Sequence, residues 1–155
     1  MKIENAKMNQ IEQINKIAIQ VHNLHVNWRE DIFKKSNDVM SEKRLEKLIA
    51  NQEIFVAIEN NNVIGFMITG IKDRTNNEIL IPKKYLVIDT LAIDENYRGQ
   101  GMGSELIKYA EKLGKKLECT NLYITVNPEN EIAINCYKKQ GFKIKNIAYS
   151  KLITK

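Results

Sequence analysis

A chain of 155 residues is the size of one ordinary domain, long enough to bury a core and too short for two large ones. Hydrophobic residues make up 43% and charged residues 28%, a globular rather than a disordered composition, and no apolar run approaches the ~18 residues of a membrane-spanning helix. The net charge of +5 is lopsided: residues 1–80 carry 11 Lys and Arg against 11 Asp and Glu, and residues 81–155 carry 13 against 8, so an anionic partner (nucleic acid, membrane surface or phosphate-bearing ligand) is expected on the second half.

Residues 10–25 repeat Ile11, Ile14, Ile17, Ala18, Val21 and Leu24 or His25 at intervals of three and four, which predicts an amphipathic helix. A second helix is expected from Ser41, a good N-cap, to Ala50, with Leu45, Leu48 and Ile49 behind it. The connection His25–Phe33 between them is polar and aromatic. The period then changes. Residues 54–58 and 63–68, joined by a turn at Asn60-Asn61-Asn62, read as a hairpin.

Residues 85–93 form a nearly unbroken apolar run, as in a central strand covered on both faces. Strand alternation puts Val87, Asp89 and Leu91 on one side of it. Leu106, Ile107, Ala110, Leu113 and Leu117 mark a further helix, and 121–126 a further strand. Asn127-Pro128 is read as opening a helix with Ile132, Ala133, Cys136 and Tyr137 on one face, ended by Gly141 in a left-handed conformation. Residues 142–145 and 147–153 are the last expected strands. With two prolines, seven glycines and no linker or internal repeat, residues 1–155 are read as one domain.

Cys119 and Cys136 have no CxxC spacing, and the only histidines are His22 and His25, so no metal site is expected. The first residues, Met1 to Lys7, lack the apolar stretch of a signal peptide, and a cytoplasmic protein with reduced thiols is the expectation.

Arg98-Gly99-Gln100-Gly101-Met102-Gly103-Ser104 follows a strand and opens a helix. Helix N-termini present unpaired N–H groups and a partial positive charge, and glycines let a ligand approach the backbone closely. Together they predict a phosphate cradle. The loop has no Lys before Ser104, as a Walker loop requires, and Ser104 stands where a GxGxxG fingerprint needs glycine. A glycine-rich turn without a ligand is the plainer alternative.

Two motifs in order resemble the GNAT superfamily of acyl-CoA-dependent N-acyltransferases. Arg98-Gly99-Gln100-Gly101-Met102-Gly103 is similar to its Q/R-x-x-G-x-G/A signature, and Asn130, Ala133, Tyr137, Gly141 and Phe142 fall at the spacing of its second signature. The resemblance covers roughly residues 50–153. It implies a mixed α/β fold: a central, mostly antiparallel twisted sheet with a splayed parallel strand pair, flanked by helices. It implies acetyl-CoA as co-substrate, lying between the strands 85–93 and 121–126, and a primary amine as acceptor, with no metal.

On that resemblance the backbones of Leu91, Ala92 and Ile93 would pair with the amide-bearing pantetheine arm. Arg98, Gly99, Gln100, Gly101, Met102, Gly103 and Ser104 would cradle the pyrophosphate. Asn130 would bond the pantetheine, although an N-cap asparagine is an equally ordinary feature. Lys139, chosen among Lys138, Lys139, Lys143 and Lys145, would meet the 3′-phosphate.

Tyr137 matches the family's general-acid tyrosine, a phenol that stays protonated at neutral pH. Its other reading is a core-facing aromatic. Asp89, a carboxylate in an apolar strand, would serve as base or amine-binding group, with deprotonation through water as the rival. Val87 departs from the Glu of some branches. For the acceptor, His25, Trp28, Glu30 and Asp31 are candidates, with Arg29, Phe33, Tyr149 and the segment Thr75-Asn76-Asn77-Glu78 unranked.

The leading expectation is an N-acetyltransferase acting on a small amine, an amino-acid-like molecule or a peptide or protein amino group. A non-catalytic CoA-binding or sensor domain is the alternative. A basic nucleic-acid-binding module fits less well, because the lysines lack aromatic interleaving and a recognition-helix motif. The expected partners exclude nucleic acid and membrane, and the chain is expected as a monomer or homodimer. The charge asymmetry then reads as a field for one small anionic cofactor.

Overall fold

In the computed structural model residues 1–76 and 78–153 are described. Five strands, β1 (Lys2–Asn5), β2 (Ile54–Glu59), β3 (Asn62–Asp73), β4 (Lys84–Ile93) and β5 (Asn121–Ile124), form one sheet in that order. The first three pairings are antiparallel and β4–β5 is parallel. Around the sheet lie α1 (Ile11–Trp28), α2 (Glu42–Ala50), α3 (Met102–Lys116) and α4 (Glu131–Lys139). This is the mixed architecture that the resemblance implies. β1 escapes the sequence reading because four residues with one bulky apolar side chain show no period.

The sheet separates two apolar clusters. Ile14, Ile17 and Ala18 of α1 and Leu45 of α2 pack with Ile54, Val56, Phe66, Ile68 and Ala92 on one face. Leu106 and Ala110 of α3 pack with Phe55, Ala57, Met67, Leu86 and Ile88 on the other. Full burial of each Ile, Leu, Val, Phe or Met among them is worth ~1.5–3 kcal/mol. Alternation along β2, with 54 and 56 to one side and 55 and 57 to the other, serves both clusters.

β4 does not alternate throughout. Ile68 of β3 pairs with Thr90, but the next residue, Thr69, pairs with Ile88, so Asp89 is an extra residue. Such a β-bulge exchanges the two faces for everything beyond it. Leu91 and Ile93 therefore join Leu86 and Ile88 on the α3 side, and Ala92 turns to the α1 side. The expectation that Val87, Asp89 and Leu91 share a face is corrected: the bulge at Asp89 puts Leu91 opposite Val87.

α1 is tied to both ends of this region by side chains. Gln13 Oε1 accepts the Val63 N–H at 2.8 Å. Gln20 accepts the Glu95 N–H at 2.9 Å and donates to the Asp94 carboxylate at 3.0 Å, fixing the corner where β4 leaves the sheet. At α2, Ser41 accepts the Arg44 N–H as its N-cap.

The C-terminal region differs from expectation in two places. Helix α4 begins at Glu131, not at Asn127-Pro128, which lie in the preceding turn, and Asn130 is its N-cap. The strands expected at 142–145 and 147–153 do not form: no strand follows β5 among the described residues. Apolar alternation supplies strand propensity but not a neighbour to pair with. Ile144, Ile147, Tyr149, Leu152 and Ile153 accordingly stay between 65% and 92% exposed. Gly141, at φ +83°, does end α4 as expected. Its N–H reaches Lys138 O and the Phe142 N–H reaches Tyr137 O, the paired bonds of a Schellman motif.

Candidate active site

The parallel strands β4 and β5 pair only over 85–88 and 121–124. Beyond that they part and a gap opens, so among the described residues the β5-facing edge of 89–93 has no ladder partner, and apart from Ile93 O, which Arg98 takes, its backbone groups are open to a ligand. The chain crosses the end of this gap through a 3₁₀ turn, Glu95–Tyr97, whose N-cap Asp94 accepts the Asn96 N–H. The glycine loop follows.

Gly99 and Gly101 adopt φ of +75° and +84°, conformations that cost other residues roughly 1 kcal/mol or more. Neither would meet another atom within 4 Å if it carried a Cβ. The space over both glycines is open, and the free N–H groups of the first turn of α3 adjoin it. Arg98 turns inward and donates from Nε to Ile93 O at 3.1 Å, while its buried Nη2 has no hydrogen-bond partner among the described residues. The open space over the two glycines, with the unpaired first-turn amides of α3 beside it, fits the phosphates of a CoA molecule.

The other loop residues divide. Gln100 Nε2 donates to Asn96 O, so its side chain braces the turn. Met102 packs into the α3-side core. A Cβ at Gly103 would lie 3.8 Å from Leu91 and 3.9 Å from Cys136 Sγ, and Ser104 Oγ lies 3.7 Å from that sulfur. The start of α3, the end of β4 and α4 thus meet around Cys136, beside Tyr137. Asn130 spends its Oδ1 on the Ala133 N–H at 3.1 Å as helix cap, leaving its Nδ2 as the donor for any ligand. Lys139 is exposed near the end of α4. Leu91 and Ile93 are partly buried and Ala92 is buried, so the backbone of 91–93 is what a ligand could use.

Tyr137 is partly buried and packs against Phe142 with ring centroids 5.7 Å apart. Burial, with a smaller contribution from Cys136, pushes its phenol up to about 12. It is therefore a neutral O–H donor at any physiological pH.

Asp89 occupies the bulge, 59% exposed at the side chain, 3.5 Å from the Arg44 guanidinium of α2. Together with Glu53, Thr69 and Lys72 they line a cavity of about 400 Å³. Arg44 and Lys72 were not anticipated as site residues. Arg44 lies 45 positions from Asp89, and no local period signals such a pairing.

The loop after α1 gathers an aromatic cluster. His25 is 5.7 Å from Trp28 and 5.5 Å from Phe33. Burial pushes the His25 imidazole down, as does its neighbour His22, so it stays neutral. Asp31 is held by the Arg29 fork at 2.8 and 2.7 Å, which leaves it committed to that pair, and Glu30 is exposed. The Asp31 carboxylate in turn holds the Arg29 guanidinium above its ordinary range. Tyr149 stands 92% exposed on the C-terminal tail. Thr75, Asn76 and Glu78 lie in an exposed turn after β3, and Asn77 lies outside the described residues. Among the described residues no cluster of His, Cys, Asp and Glu could hold a metal ion, and no helix is long and apolar enough to cross a membrane.

The model of the acetyltransferase (GNAT) family matches residues 19–142. The chain is 34% identical over 93 residues to an N-alpha-acetyltransferase of Sulfurisphaera tokodaii, covering 57% of this chain and 55% of that protein. It is 44% identical over 57 residues to the peptidyl-lysine N-acetyltransferase YjaB of Salmonella typhimurium, covering 37% of this chain and 36% of that protein. The chain thus spans about half or less of the curated relatives it matches. A crystal structure of a tetramutant of the BH1408 protein from Bacillus halodurans shares the fold at a TM-score of 0.93 and 20% identity, over 99% of this chain and 100% of the other.

Proposed function

Because the chain belongs to the acetyltransferase (GNAT) family, we propose that it moves an acetyl group from acetyl-CoA to a primary amine by direct attack on the thioester. The observation that carries this reading is the parting of β4 from β5 beside the open cradle of Gly99 and Gly101. Acetyl-CoA supplies an activated acyl carbon and a thiolate leaving group. The backbone amides of the glycine loop and of the first turn of α3 hold the diphosphate, and Arg98 adds its positive charge from within the loop. The unladdered edge at Leu91, Ala92 and Ile93 bonds the pantetheine amides, and Asn130 adds its Nδ2. Lys139 meets the 3′-phosphate.

Asp89 attracts the acceptor ammonium in exchange for Arg44. Its exposure lets water take the proton that the amine must lose before it attacks. Tyr137 Oη donates a hydrogen bond to the sulfur as the C–S bond breaks. Complete transfer from a phenol near 12 to a thiolate of ordinary pKa is uphill by ~5 kcal/mol. The phenol therefore stabilises developing charge as a donor, and solvent supplies the final proton. The acceptor is a small amine, an amino-acid-like molecule or a peptide or protein amino group. The relatives named for N-alpha and peptidyl-lysine acetylation support the peptide end of that range.

The test is free-thiol release from acetyl-CoA across a panel of polyamines, amino acids and peptides, with calorimetric binding of acetyl-CoA in parallel. Binding with amine-dependent release is the expected result. Binding without release against any amine would leave a sensor-type domain, and no binding would remove the reading altogether.

A further inference from the structure

The cleft at Asp89 continues along the sheet. A second cavity of about 290 Å³ shares Lys72 and Val87 with the first and is otherwise lined chiefly by Arg74, Tyr85, Tyr123 and Lys145. Tyr85, Val87 and Tyr123 lie on the face opposite α3, beyond the cover of α1 and α2. The two tyrosines meet edge-on at 6.4 Å. Lys145 Nζ stands over both rings, 4.1 Å from the Tyr85 centroid and 4.8 Å from that of Tyr123. Cation–π contact on two faces fixes an ammonium that would otherwise swing in solvent.

The charge here is unbalanced. Lys72, Arg74 and Lys145 line the cavity, and among the described residues no carboxylate does. Among the described residues none of the three forms an ion pair. Lys145 first, and then the charges of Lys83 and Arg74, hold the Tyr85 phenol below its ordinary range. Asp73, the acidic residue between Lys72 and Arg74, is turned away and accepts the Thr75 N–H at 2.8 Å. Like charges held together without a counter-charge repel, and an anion between them removes the repulsion.

We propose that this cavity binds an oxyanion, a carboxylate or phosphate, carried by the acceptor itself. The acceptor is then an amine with an anionic group roughly 10 Å from its nitrogen, since four residues of strand from Asp89 to Tyr85 span ~13 Å and side chains shorten the reach. The ammonium goes to Asp89 and the anion to Lys72, Arg74 and Lys145. This rests on the acetyltransferase reading above. It deepens that reading by giving the cleft a polarity, negative at one end and positive at the other.

The experiment compares matched acceptors by thiol release: the tripeptide amides Ser-Ala-Asp and Ser-Ala-Asn for the carboxylate source, and 6-aminohexyl phosphate and 6-aminohexanol for the phosphate source. The expected result is a kcat/KM at least tenfold higher for the anionic member of one pair, expressed in KM and shrinking between 50 and 300 mM salt. In the double variant Arg74→Gln/Lys145→Gln that ratio falls to about two, with acetyl-CoA affinity measured alongside to report a folded protein. Equal rates within both pairs, or a preference that survives in the double variant, would overturn the proposal. Should no amine release thiol, the acetyltransferase reading fails on its own. The anion site is then judged by calorimetric binding of 6-aminohexyl phosphate, where equal affinities of wild type and double variant overturn it.

Discussion

Tyr137 keeps its proton because its surroundings make the phenolate expensive, and that determines how its removal should read out. Its ordinary pKa near 10 is raised to about 12, so the neutral form is retained in the folded protein until the pH approaches that value. An alkaline fall in activity below pH 11 therefore belongs to another group. Replacing Tyr137 with Phe should lower kcat by about 10²-fold and leave acetyl-CoA affinity within about threefold, with the pH–rate profile below pH 10 unchanged in shape. Kinetics and calorimetry on the same preparation check this. A loss confined to affinity would make the ring a packing residue against Phe142.

At the scale of the element, α2 is the piece most dependent on local chemistry. It has nine residues, too short to be stable alone, and only Leu45 is fully buried. Ser41→Ala removes the cap and should cost about 1 kcal/mol, read as a melting temperature lower by ~3 °C. Because α2 also carries Arg44 to Asp89, loosening it should raise the acceptor KM more than the acetyl-CoA KM.

The caps and periods of such helices are local, and they were legible: Ser41, the apolar face of α1, the glycine loop and the left-handed Gly141 all stand where the sequence puts them. The bulge was not legible, because it is set by the register of β4 against β3 rather than by any residue of β4. The start of α4 was misplaced because both Asn127 and Asn130 can cap. Only the fold, bringing Asn130 Oδ1 to the Ala133 N–H, separates them. The Arg44–Asp89 contact and the cationic cavity join distant segments, so no window of sequence contains them.

For the whole molecule, two apolar clusters on opposite faces of one sheet hold the strands and helices together, and residues 147–153 join neither. Ending the chain after Asn146 should therefore change the melting temperature by no more than about 1 °C. A drop of several degrees would show that the tail packs against something in solution. The charge of the second half also acquires an address at this scale. Lys83 and Lys145 of the second half join Lys72 and Arg74 of the first around Tyr85, while Arg98 lies apart from them at the glycine loop.

The single extra residue at position 89 behaves as a frameshift written into geometry rather than into the gene. Upstream of it, odd-numbered side chains of β4 look toward the cleft; downstream, odd-numbered side chains look toward α3. Deletion of that one residue would close the bulge and leave Leu91 and Ile93 in the α3-side core, because Thr90 would then follow Ile88 in ordinary alternation, whereas flattening the bulge with the residue kept would send them out of it. Exchange of its side chain alone would leave the phase intact. The apolar clusters thus do not require the extra residue, and both its presence and its chemistry are free to be chosen by the reaction.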